Sequence, residues 1–112
     1  MSAAKKTIRV SELASARSGD KGNHANIGVI ARSEEAYEIL VSRLTAVRVQ
    51  DYFRELGVTR VERFELHKVQ ALNFLLHDAL AGGASRSLRI DTQGKLLGTA
   101  LLDLVLVVDS DS

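Results

Sequence analysis

Between residues 17 and 26 the chain gathers seven side chains that bind or carry charge: Arg17, Ser18, Asp20, Lys21, Asn23, His24 and Asn26. Gly19 and Gly22 interrupt them, and glycine accepts backbone conformations that turn N–H groups toward an anion. Arg17 and Lys21 can add charge-assisted hydrogen bonds to a phosphate or carboxylate. Asp20, Lys21 and His24 are the members able to move a proton. A second polar cluster, Ser85, Arg86, Ser87 and Arg89, follows Gly82-Gly83. The expected site is therefore an anion site. Arg17, Lys21 and Arg86 supply charge, Asn23 and Asn26 supply orientation, and Ser18 joins the ligand-binding set. The alternative is a solvated connection whose polar groups satisfy one another.

Other chemistry finds less support. Neither the Walker pattern nor the dinucleotide fingerprint is present. Gly19-Asp20-Lys21-Gly22 satisfies the GXXG of KH domains. However, an apolar strand rather than a helix follows it, net charge is +1 and aromatics make up 4%. A nucleic-acid partner is not expected. Of the three histidines, His24, His67 and His77, the second shares a strand face with Glu65. That pair could join His24 around a metal, but no ligand spacing compels it, and no metal is expected. There is no cysteine, which removes thiolate catalysis and Cys-based metal sites. No Gly-x-Ser-x-Gly elbow occurs. No apolar run has the length of a signal peptide or a membrane span. A cytoplasmic protein without a membrane partner and without a cofactor is the expectation.

These residues need a scaffold. A chain of 112 residues with 46% apolar and 26% charged content suits one domain. Its ordered core is expected over roughly residues 7–108. Proline is absent, so glycine, Asn, Asp and Ser must make the turns. Residues 7–13 read as an edge-like strand, and 27–31 as a central strand apolar on both sides. Ser33 is placed to cap a helix with Glu34 and Glu35 in its first turn. Thr45 caps a second helix with a stripe of Val49, Tyr52, Phe53 and Leu56, ended by Gly57. Residues 61–66 read as a strand with Phe64 and Leu66 inward and Arg63 and Glu65 outward. Leu72, Leu75, Leu76, Ala79 and Leu80 read as another amphipathic helix. Leu88 and Ile90 alternate as a strand, Thr92-Gln93-Gly94-Lys95 reads as a hairpin turn, and 101–108 as the last strand.

The order predicts an α+β fold, a ferredoxin-like two-layer sandwich with a mostly antiparallel sheet and helices on one face. Val105 and Val107, with Ile27 and Val29, are expected to leave the other face apolar. That face predicts a homo-oligomer.

The stretch Ala16-Arg17-Ser18-Gly19-Asp20-Lys21-Gly22-Asn23, followed by Ala25-Asn26-Ile27-Gly28-Val29, resembles the ferredoxin-fold domain of acyclic terpene utilisation (AtuA-like) proteins. Leu44-Thr45-Ala46 with Tyr52-Phe53 agrees in order, as does Ala71-Leu72-Asn73-Phe74 with Ala79-Leu80. So does the run from Gly82-Gly83 through Arg86 to Gln93-Gly94-Lys95. At the junction between strand and helix, His67-Lys68 departs from the proline-containing sequence expected there. The resemblance implies a single small domain that accompanies a larger AtuA-like subunit in the catabolism of acyclic terpenoids as coenzyme A thioesters. It names no catalytic residue in this domain. The reading that follows is an accessory or small subunit that helps bind an anionic acyl substrate. A self-sufficient small enzyme using Asp20, Lys21 or His24, or a nucleic-acid module, is the alternative.

Overall fold

Two strands with strict alternation carry the core of the computed structural model, which describes residues 5–21, 24–78 and 91–109. In β3 (His24–Ala31), Ala25, Ile27 and Val29 are fully buried; in β5 (Ala71–His77), Leu72, Phe74 and Leu76 are too. The strands pair antiparallel with Ile27 opposite Phe74 and Val29 opposite Leu72. β2 (Ala14–Lys21) lies outside β3 and β4 (Arg60–Leu66) outside β5, which gives a four-stranded antiparallel sheet in the order β2-β3-β5-β4. β1 (Lys5–Arg9) and β6 (Val105–Asp109) form a separate antiparallel pair. Its inner residue Leu106 joins the same core.

Helices cover one face of the large sheet. Ser33 caps α2 (Glu34–Arg43) by accepting from Ala36 N–H at 3.1 Å, with Glu34 and Glu35 in the first turn. Thr45 does the same for α3 (Ala46–Tyr52), accepting from Arg48 N–H. Gly57 closes the 3-10 turn Arg54–Leu56 at φ 87°, a conformation that suits glycine. α4 (Asp91–Leu102) lies against β2 and sends Leu97 and Leu101 into the core. The run β3-α2-β4-β5-α4, with α3 inserted, is ferredoxin-like β-α-β-β-α. The strand beside β3 is β2, which comes before it in sequence. No helix among the described residues is long and apolar enough to cross a membrane.

Five local expectations change. The segment from Leu72 is strand, not helix: Leu72, Phe74 and Leu76 meet the strand period as well as Leu72, Leu75 and Leu76 meet the helical one. The slot between β3 and β4 settles the matter, because only a strand satisfies its backbone on both sides. Thr92-Gln93-Gly94-Lys95 falls inside α4 rather than at a hairpin turn, and the last strand starts at Val105. Glycine costs a helix about 1 kcal/mol, but Gly98 gains a close approach. A Cβ there would sit 3.2 Å from Ser18 Oγ, and its N–H donates to that same oxygen. The first strand stops at Arg9, where a single helical turn, α1 (Val10–Leu13), buries Val10 and Leu13. Glu12 accepts from Arg9 N–H. Ile27 and Val29 face the helices, so the exposed large apolar residues of the second face are Ile30, Phe64 and Leu66. The strand proposed at Leu88 and Ile90 lies outside the described residues.

The fifth change is the inversion of β4. Phe64 and Leu66 are about half exposed, whereas Arg63 lies on the helix-covered face. There its Nη1 donates to the carbonyls of Val41 (2.8 Å) and Leu44 (3.1 Å), and Nη2 donates to Glu65. The end of a helix leaves carbonyls without intrahelical partners, and a cation beside them also meets the negative end of the dipole. Satisfying α2 this way outweighs burying Phe64. Replacing Arg63→Met keeps the aliphatic stem and removes these bonds. We expect a loss of about 1.5–3 kcal/mol, read as a lower midpoint in urea unfolding, while Arg60→Met at the exposed end of β4 stays near wild type.

Candidate functional site

The register of the sheet sorts the polar residues by face. Arg17, Gly28, Asn73 and Phe64 form one cross-strand row on the face away from the helices; Gly19, Asn26, Leu75 and Glu62 form the next. Lys21 pairs with His24, and His77 with Arg60, at the end of the same face. Residues 17–21 and 24–26 are thus paired antiparallel strand rather than loop. Two residues, Gly22 and Asn23, separate the register partners Lys21 and His24. Glycine followed by Asn is a pair suited to a two-residue hairpin connection.

Three of the expected residues come together on this open face. Arg17 is exposed and among the described residues has no ion-pair partner. Asn26 Nδ2 donates to Asn73 Oδ1 across the β3–β5 pair at 3.2 Å. That leaves the second N–H of Asn26 and both of Asn73 able to donate outward. His24 Nδ1 accepts from the backbone N–H of Asp78 at 3.0 Å, which places the ring hydrogen of the neutral imidazole on Nε2. Between these groups Gly28 carries no side chain. A Cβ there would lie 4.0 Å from both Arg17 O and Asn73 Oδ1, so the glycine is not demanded by crowding and leaves a bare floor. The result is a shallow patch dominated by donors.

The other expected residues are placed differently. Ser18 lies on the covered face, where its hydroxyl accepts from Gly98 N–H. Asp20 and Lys21 occupy β2, with Lys21 at a register position of the open face and Asp20 on the opposite one. Asn23 and Arg86 lie outside the described residues. The Glu65–His67 pair does form, at 3.0 Å, but Glu65 sits on the covered face while His24 stacks edge-on against His77 at 4.9 Å on the open one. His24 therefore does not complete that set.

Asn73, His77 and Glu62 were not singled out for this patch from the sequence. Read as a strand, Leu72-Asn73-Phe74-Leu75-Leu76-His77 shows Asn73 and His77 as polar interruptions on one face, and that was the available signal. Glu62 anchors the end of the patch: its Oε2 accepts from His77 Nε2 at 2.6 Å and from Arg60 Nη2 at 2.7 Å. These two bonds, His77's the stronger influence, hold its carboxyl below the usual range.

Against known families, the sequence model described as the AtuA ferredoxin-like domain matches residues 8–107. No curated protein and no solved structure matches the chain.

A carboxyl whose folded pKa is lowered adds stability that is complete above its unfolded value and is lost as pH falls through the folded one. Unfolding midpoints should therefore decline as pH drops below 4.5, the ordinary value for this group. In Glu62→Gln part of that acid decline should be absent. A pH series of thermal melts on both proteins measures it; parallel acid limbs would remove Glu62 from the account.

Proposed function

The chain belongs to the AtuA ferredoxin-like domain family, and from that relation to AtuA-type proteins we propose that it is a small subunit of a catabolic enzyme. Its role is to hold an anionic substrate of the acyl-coenzyme A type on the open face of its sheet, within terpenoid-type catabolism by resemblance. One observation carries the reading. Arg17, without a carboxylate partner among the described residues, shares a cross-strand row with the bare floor of Gly28 beside the Asn26–Asn73 amide pair. A guanidinium, amide hydrogens and the His24 Nε2–H offer donors to phosphate or carboxylate oxygens. Lys21 at the same end of the strand pair adds charge to the set. The chemistry of the reaction belongs to the larger AtuA-like partner.

The same face has an apolar half. Ile30, Phe64 and Leu66 are 43%, 45% and 46% exposed; Ile30 and Leu66 share the row farthest from His24, and Phe64 ends the neighbouring row of Arg17, Gly28 and Asn73. In this proposal that half is where a second copy of the chain docks when no large subunit is present. Purified alone, the protein is expected to be a homo-oligomer by light scattering, and Phe64→Asp is expected to shift it to monomer. A wild-type monomer at micromolar concentration would count against the docking half.

The ligand half is tested by calorimetric titration of an acyl-coenzyme A and of inorganic phosphate. Arg17→Ala should weaken binding about tenfold or more, the equivalent of one charge-assisted hydrogen bond. Gly28→Val should fold at least as well as wild type, since valine suits a strand and the position has room. It should nevertheless lose the ligand, because the floor is filled. Equal affinity in all three proteins would reduce the open face to a solvated surface.

A further inference from the structure

On the helix side of the molecule a groove of about 410 Å³ runs between α2 and the 3-10 turn His67–Val69. One wall is a helical stripe of Glu34, Tyr37, Glu38 and Val41, at i, i+3, i+4 and i+7; the other is His67 and Gln70. Among the described residues no lysine or arginine lines it. Behind the wall runs a continuous chain of polar contacts, two hydrogen bonds joined by the close His67–Glu65 contact. Tyr37 Oη lies 3.0 Å from His67 Nδ1, His67 Nε2 lies 3.0 Å from Glu65 Oε1, and Glu65 Oε2 accepts from Arg63 Nη2 at 2.7 Å. Arg63 is in turn fixed to the end of α2.

For a neutral His67 these contacts set which way the phenol faces. A carboxylate oxygen 3.0 Å from Nε2 disfavours a lone pair there, so in the neutral imidazole the hydrogen sits on Nε2 and Nδ1 is left with a lone pair. Tyr37 must then donate its hydroxyl hydrogen to Nδ1, and what its oxygen offers the groove is a lone pair. Burial first, and then the charge of Glu65, push the Tyr37 phenol above its ordinary pKa against the opposing pull of Arg63, which keeps that hydrogen in place. The ring itself is almost wholly buried, at 7% exposure, so the hydroxyl cannot swing away. Gln70 is held in the left-handed region at φ 54°, with its carbonyl accepting from Ala31 N–H and its N–H donating to His67 O. The wall opposite α2 is therefore as fixed as the helix.

The charged and phenolic groups of the groove are acceptors: two carboxylates and a phenol oxygen whose hydrogen is turned inward, beside an aromatic edge and the apolar side chain of Val41. Such a surface repels the anions suited to the open face. We propose that this groove is a second binding site, for a small organic ammonium. Glu34 and Glu38 balance its charge, Tyr37 Oη accepts one N–H, and Val41 and the tyrosine ring meet its carbon skeleton. Cations close to aromatic rings gain a further attraction. His67 and Glu65 are positioning residues, acting only by turning the phenol.

The probe is butylammonium, with butanol and butyrate as the uncharged and anionic controls, titrated into the full chain and followed by NMR amide shifts. Shifts at residues 34–41 and 67–70 with butylammonium alone are expected. Tyr37→Phe, which keeps the ring, should weaken binding about tenfold, and Glu38→Gln, on an exposed position that does not threaten the fold, should do so as well. His67→Phe should reproduce the Tyr37→Phe loss, whereas His67→Gln, whose side-chain oxygen can accept from the phenol, should recover part of it. Equal shifts from butanol, or butylammonium binding unchanged in both Tyr37→Phe and Glu38→Gln, would overturn the site. Should Tyr37→Phe fail to fold, Glu38→Gln alone decides.

Discussion

The register of the β3–β5 pair is the constraint on which everything else hangs. Side chains alternate between faces with a period of two, so a slip by one residue would put either Ile27 and Val29 or Leu72 and Phe74 in water. Each of those apolar side chains gains about 1.5–3 kcal/mol on burial, which makes the slip prohibitive. The same arithmetic that buries Ile27 fixes Asn26 and Gly28 on the other face, and the β2–β3 ladder carries the decision one strand further to Arg17 and Ser18. Arg17 is offered to solvent and Ser18 to α4 for one reason: they are neighbours on a strand whose partner cannot slip.

A second link ties the two layers together. Arg63 lies on β4 but satisfies the carbonyls at the end of α2, and from its other nitrogen polar contacts continue through Glu65 and His67 to Tyr37, back on α2. The circuit closes on the helix where it began. Its consequence is a division of chemistry. The open face of the sheet presents chiefly donors around Arg17, and the groove beside α2 presents acceptors around Tyr37. Under the two proposals made above, each would reject the ligand of the other.

Helix ends and the family itself were readable from the sequence. Ser33 and Thr45 act as caps because a hydroxyl after an extended residue reaches the backbone two or three positions ahead, a contact wholly contained in local sequence. The ordered words around Arg17-Ser18-Gly19-Asp20-Lys21-Gly22 likewise pointed to the family that matches residues 8–107. The segment from Leu72 was not readable, since five to seven apolar residues fit either period and the choice rests on strands distant in sequence. Gly94 and Gly98 resembled punctuation, yet both sit in α4. Gly98 is needed there for contact with Ser18, eighty residues earlier.

What the sequence by itself determined was local and compositional: an α+β chain, its capped helices, and a polar, glycine-rich stretch. Tertiary structure decided which of those polar residues face the same way. It made paired strand of most of the stretch, separated Ser18 from Arg17, and brought Asn73 to Asn26 and His77 to His24 from more than forty-five residues away in the chain. It also turned Arg63 inward against the expectation of alternation. The reason is common to all of these. Burial and hydrogen-bond satisfaction are settled between elements, and a pattern within one element cannot say which carbonyls or which strand will be waiting opposite it.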